Sequence, residues 1–167
     1  MPRRSSKAPT PPPDSAYEGG LRLLARRAHS RVELRRKLAR RGYPEEAIHT
    51  ALARLSELGY LDDAAFAAAH VRRRSGARGP LALSAELAAR GVDKRIAGRI
   101  LAGFDRAAQV ASATHLAERL CGRTRPAGYG ELLDSVGAKL LRRGFSPGVA
   151  REACWTVWAG REPTPTA

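Results

Sequence analysis

The chain has 167 residues and a formal net charge of +14, with 43% hydrophobic and 28% charged residues, enough for one ordinary domain or a short array of smaller ones. Cys121 and Cys154 make no C-x-x-C pair, and no apolar run approaches the roughly 18 residues of a membrane span, so a soluble, cytoplasmic protein with no membrane partner is expected. The charge is shared, about +5 over residues 16–59, +4 over 60–103 and +4 over 104–161, which suits a polyanion or an acidic protein groove, with arginine-rich codon usage as the plainer alternative.

Residues 1–15, basic and proline-rich, read as a disordered arm, and 162–167 as a flexible tail. In the first unit, 16–59, Leu21, Leu24, Ala25 and Ala28 keep helical spacing, and Ser30 with Glu33 forms a capping box that opens a second helix. That helix runs to Arg41 and stops at Gly42. Pro44 suits the first turn of a third helix, whose buried face is Ile48, Leu52 and Leu55 and which ends near Gly59.

The second unit, 60–103, starts with Asp62 or Asp63 as a helix cap ahead of an apolar face of Phe66, Ala67, His70 and Val71. Gly79 and Pro80 break that helix, and helices near 81–90 and 93–103 follow, with Ile96 and Ile100 facing inward. The third unit, 104–161, reads as a helix near 105–120, a loop of breakers (Gly122, Pro126, Gly128, Gly130), and helices near 130–143 and 147–160. No stretch alternates as a strand would.

One phrase ties the units together. Leu34, Leu38 and Gly42 recur as Leu83, Leu87 and Gly91 and as Val136, Leu140 and Gly144, each glycine preceded by arginine (Arg41, Arg90, Arg143). The glycines are 49 and 53 residues apart, a period of one three-helix unit used in tandem. The expected fold is therefore all-α, three tandem three-helix repeats.

With Leu34 and Leu38 on the buried face, Arg36 and Arg40 point outward with Lys37 beside them, and the neighbouring helix adds Arg22, Arg26 and Arg27. Such guanidinium pairs suit phosphates or carboxylates, and a solvated helix face is the alternative. Arg72, Arg73, Arg74 and Arg78 form the densest basic run; Arg72, Arg73 and Arg78 are contact candidates, while Arg74 fits helix-end electrostatics. Lys94, Arg95 and Arg99 complete the candidate set.

Arg41, Arg90 and Arg143 read as structural, and Asp62 and Asp63 as a cap rather than a catalytic pair. His29, His49, His70 and His115 lack ligand spacing, and Gly19 and Gly20 form no phosphate loop. No catalytic residue, cofactor or metal site is expected. Trp155 and Trp158 suit the core or a cap, with an exposed docking aromatic as the alternative.

Gly59, Tyr60, Leu61, Asp62, Asp63, Phe66, Ala67, Val71, Arg74, Gly79 and Pro80, followed by Glu86, Leu87 and Gly91, resemble the signature of the RecX family of bacterial recombination regulators. Leu23, Leu24, Ala25, Arg26, Arg27, Ser30, Glu33, Leu34 and Leu38 resemble that family's opening repeat. The resemblance implies an elongated, curved array of three repeats. It further implies a non-enzymatic protein that binds the RecA recombinase filament and restrains ATP hydrolysis, strand exchange and repressor self-cleavage; beside it, a monomer that contacts single- or double-stranded DNA through the DNA backbone is expected. A tandem helix-turn-helix DNA reader is the competing reading. Glu45 and Glu46 at the start of the third helix speak against base readout in the first unit, and Lys94, Arg95 and Arg99 leave the second open to it.

Overall fold

The structure, a computed structural model, describes residues 14–161. The expected arm and tail lie outside these residues, apart from Asp14 and Ser15, and those two belong to the fold. Ser15 caps α1 (Ala16–Arg26): its Oγ accepts from the Glu18 amide at 3.2 Å, and the Glu18 carboxylate accepts from the Ser15 amide at 2.9 Å. Asp14 accepts from the Tyr43 hydroxyl at 2.9 Å and pairs with Arg22.

Helix α1 does not bury the expected stripe. Ala16, Gly19, Gly20 and Leu23 are buried, Leu21 and Leu24 are half-buried, and Ala25 and Ala28 are exposed, the latter beyond the helix end. The glycine pair decides the face, because its bare backbone admits close neighbours. A Cβ on Gly19 would lie 2.6 Å from the Tyr43 hydroxyl, and one on Gly20 2.7 Å from Leu55 Cδ1.

In α2 (Arg31–Arg40) the Ser30 hydroxyl accepts from the Glu33 amide at 3.1 Å, but the capping box is only half made. The Glu33 carboxylate turns instead to Arg27 and Arg90, at 3.1 and 2.9 Å. Pro44 is the residue before α3 (Glu45–Glu57), not part of its first turn, and α3 buries Ile48, Ala51, Leu52 and Leu55. The two aspartates that follow serve different helices. Asp62 accepts from the Ala64 and Ala65 amides at the start of α4 (Asp63–Arg74), whereas Asp63 accepts from the Arg31 amide of α2 at 2.7 Å.

Helix α5 (Pro80–Ala89) starts at Pro80 and buries Leu83 and Leu87. In α6 (Lys94–Ala102), Ala97 is buried and Ile96 and Ile100 are half-buried. Helix α7 (Arg106–Thr124) runs through Gly122, so the expected breaker loop shrinks to the few residues after Arg125. Then α8 (Tyr129–Leu132), a π-helical turn (Leu133–Gly137) and α9 (Ala138–Arg142) continue in right-handed helical backbone as one rod, followed by α10 (Pro147–Ala159). The described residues contain no strand.

By packing, the chain divides into two compact units that cut across the second repeat. Among the described residues, one comprises 14–66 together with Ala89–Asp93, and the other comprises Ala67–Ala88 and 94–161. Each unit contains the same kind of joint. In the first, the Ser30 hydroxyl donates to the Arg90 carbonyl at 2.5 Å, and a Cβ on Gly91 would lie 2.5 Å from Val32 Cβ. In the second, the Gly79 amide donates to the Arg143 carbonyl at 2.8 Å and the Leu81 amide to the Gly144 carbonyl at 3.2 Å. The arginine–glycine turn of a later repeat thus supplies acceptors or close packing at the start of the middle helix of the repeat before it, where helix amides lack partners of their own.

Candidate basic interface

The wheel of α2 sorts its cations. Leu34 and Leu38 are fully buried. Arg31 donates to the Ser56 hydroxyl at 2.5 Å, and Arg35 pairs with Glu45 at 2.7 Å. Arg36 and Arg40 are exposed and Lys37 is half-buried, and none of the three has an ion pair among the described residues. On α1, Arg26 is exposed, whereas Arg22 is held by Asp14 and Arg27 by Glu33 and the Ala28 carbonyl.

The run at the end of α4 splits in the same way. Arg72 and Arg73 are exposed, but Arg74 and Arg78 reach Glu86 at 3.2 and 3.3 Å, and the buried His70 donates to the same carboxylate at 2.8 Å. Burial alone would raise the Glu86 pKa; the hydrogen bonds and charges of Arg74 and His70 outweigh it and hold the carboxyl below its usual value. Of this run, Arg78 is therefore tied to an internal acid. Lys94, Arg95 and Arg99 are exposed on α6.

Reading the repeats in register uncovers cations that spacing arguments on single helices miss. Counting back from each glycine, Lys37 and Arg40 correspond to Lys139 and Arg142 in the third repeat, half-buried and exposed respectively. In the second repeat the matching positions are Glu86 and Ala89, so the place of a free lysine is taken by the acid that gathers Arg74, Arg78 and His70. The first and third repeats share cations without ion pairs at these two positions, and the second does not.

Beside the first joint, His29 is buried, its Nδ1 donating to the Arg27 carbonyl at 2.8 Å while Nε2 finds no partner among the described residues. Burial pushes its pKa below the usual 6.5, helped by the charges of Arg27 and Lys37 and opposed by the carbonyl bond and Glu33. The unfolded chain then takes up a proton at higher pH than the folded one, so stability is complete above about 6.5 and falls as the pH drops through that value. Glu33 and Glu86, both held below 4.5 by their arginines against the pull of burial, add losses only below that pH. Urea midpoints should fall between pH 7.5 and 5.5, and His29→Gln should flatten that slope; an equal slope in the variant would assign the effect elsewhere.

No group of three or more histidine, cysteine or acidic residues among the described residues could hold a metal ion, and no helix among them is long and apolar enough to cross a membrane.

Residues 16–55 match the first three-helix domain of RecX, and residues 62–101 match the second. Over 135 residues the chain is 41% identical to the regulatory protein RecX of Mycobacterium ulcerans (strain Agy99), covering 79% of this chain and 78% of that relative. It is 40% identical over 134 residues to the regulatory protein RecX of Xanthomonas axonopodis pv. citri (strain 306), covering 80% and 82%. The crystal structure of RecX from Lactobacillus salivarius superposes with a TM-score of 0.79 at 25% identity, over 86% of this chain and 95% of that one. Two matched domains in tandem, with relatives about 40% identical over most of the sequence, place the chain in the RecX family of regulatory proteins.

Proposed function

We propose that this protein is a non-enzymatic, monomeric, cytoplasmic regulator that binds the RecA filament with its DNA and inhibits its ATP hydrolysis, strand exchange and coprotease-type activity. The observation that carries the reading, beside family membership, is a pair of cation positions that recurs on the middle helices of the first and third repeats. Arg36, Lys37 and Arg40, and Lys139 and Arg142 in register with them, have no ion pairs among the described residues. Cations without internal partners remain available for phosphates or acidic side chains, and repetition along the chain suits a partner that is itself a repeating polyanion.

The competing helix-turn-helix reading meets an electrostatic obstacle in the first repeat. Glu46, exposed and without an ion pair among the described residues, opens α3 beside the Arg35-paired Glu45, where a recognition helix would face phosphates. Lys94, Arg95 and Arg99 on α6 are the feature that favours it. Two measurements separate the readings. Added to RecA on single-stranded DNA, the protein should lower steady-state ATP hydrolysis while hydrolysing none itself. On its own it should bind mixed-sequence oligonucleotides with little sequence preference, with a salt slope of about 0.9 per duplex phosphate neutralised. A recombinase unaffected at saturating protein, or one duplex sequence bound about a thousandfold more tightly than the rest, would overturn the regulator reading.

A further inference from the structure

Helical spacing leaves Trp155 and Trp158 undecided between core and surface, and the fold treats them differently. Trp158 is half-buried. The Arg161 guanidinium lies 5.1 Å from its ring centre, and the same side chain is anchored on the Pro126 carbonyl at 2.9 Å and Cys121 Sγ at 3.0 Å. Trp155, one turn earlier on α10, is 58% exposed. Tyr129 meets it edge-on, with ring centres 5.6 Å apart at 89°, and also lies 6.3 Å from Trp158. The indole is therefore braced by packed aromatics and still open to solvent.

An exposed arginine lies one helical turn from this ring. Arg151 lies four residues before Trp155 and so on the same face of α10, exposed and with no ion pair among the described residues. Arg125, next to the Pro126 that anchors Arg161, is also exposed. The nearest acid on the helix, Glu152, is engaged by Arg106 at 2.5 Å. A rigid exposed indole with an arginine one turn away offers a π face to a base and a positive group to its phosphate. Duplex DNA keeps its base faces stacked inside and cannot use such a ring.

We infer that Trp155 is a stacking platform for an unpaired base of single-stranded nucleic acid, with Arg151 taking the adjacent phosphate. The inference deepens the DNA part of the proposed function and rests on it there. Its test contains no recombinase, so its failure is distinct from a failure to inhibit.

Trp155 and Trp158 are the two tryptophans of the chain, so Trp158→Phe makes Trp155 the sole fluorescent reporter. Saturating thirty-residue oligothymidine should quench its emission, and a duplex of equal length should not. In full-length protein, Trp155→Ala should weaken oligothymidine binding about 5- to 100-fold with the salt slope and duplex affinity unchanged, while Trp155→Phe keeps most of the binding. Arg151→Ala should lower the single-strand salt slope by about 0.7. Unquenched Trp155 emission at saturating oligothymidine would overturn the inference whether or not the alanine variant folds. Equal loss on single strand and duplex with helicity intact would mean phosphate contact alone and also overturn it. So would quenching by RecA without DNA while oligothymidine is silent, which would make the patch a protein-docking face.

Discussion

Gly144→Ala is expected to destabilise the protein by about 2 to 5 kcal/mol, against about 1 to 2 kcal/mol for Gly59→Ala, although the two glycines share nearly the same backbone. Their φ values are +86° and +74°, a left-handed conformation in which any Cβ costs about 1 to 2 kcal/mol. Gly59 adds nothing to that cost, since no atom lies within 4 Å of its would-be Cβ. At Gly144 the Cβ would lie 2.3 Å from the Ala82 amide nitrogen and 2.6 Å from Ala82 Cβ. The obstacle is the first turn of α5, held in place by the bonds from Gly79 and Leu81 to the Arg143 and Gly144 carbonyls. A backbone so tied cannot swing aside as a side-chain tip would, and overpacking of this kind adds roughly 1 to 3 kcal/mol. Thermal unfolding reads the difference, at about 2 to 4 °C per kcal/mol for a chain of this size. Equal shifts for the two variants would mean that the joint yields and contributes little to the fold.

Reversing Arg36 and Arg40 to glutamate should weaken inhibition of RecA by about tenfold or more, and adding Lys139→Glu and Arg142→Glu should extend the loss to about a hundredfold. Linked sites gain from the high effective concentration that follows the first docking, so losing one site removes more than its own share of the binding. Each phosphate left without its cation should also lower the duplex salt slope by about 0.9. The fold should be untouched: these side chains have no ion pairs among the described residues, and such surface changes usually stay within about 0.5 kcal/mol. Arg27→Glu is the contrasting control, because it sets a new carboxylate against Glu33 and should act on stability. An unchanged inhibition curve for the fourfold variant, with its urea midpoint preserved, would remove the middle helices from the interface. Full-length chains are required here. A cut after Gly103 would remove the acceptors of the Gly79 and Leu81 amides and divide the second packing unit.

Much of the architecture was legible because it rests on local rules. The four-residue spacing of Leu34 and Leu38, Leu83 and Leu87, and Val136 and Leu140 follows from 3.6 residues per turn, and all six side chains are fully buried. The glycines after Arg41, Arg90 and Arg143 take the left-handed backbone expected where a helix stops. The misreadings in α1 and at Glu33 have one cause in common, a partner far along the chain. In α1 the large apolar residues point to one face, whereas the helix packs against Tyr43 and Leu55 through the absence of side chains at Gly19 and Gly20. The cap signal of Ser30 and Glu33 failed at Glu33 because Arg90, 57 residues away, joins the nearby Arg27 in competing for the carboxylate.

The candidate interface shows the same division more sharply. Helical periodicity alone settles that Arg36 and Arg40 point away from Leu34 and Leu38, and the repeat register pairs Lys37 and Arg40 with Lys139 and Arg142. It cannot say which outward cation is already neutralised. Arg72 and Arg78 look alike in sequence, yet only Arg78 reaches Glu86, across the turn between α4 and α5. Trp155 and Trp158 sit on one helix three residues apart, and one is pinned beneath Arg161 while the other stands open. The sequence alone therefore determines the elements and their inward faces, because backbone geometry relates residues a turn apart. Only the tertiary structure decides which charges and rings remain free, because neutralisation and burial depend on distance through space to groups that the chain order does not bring near.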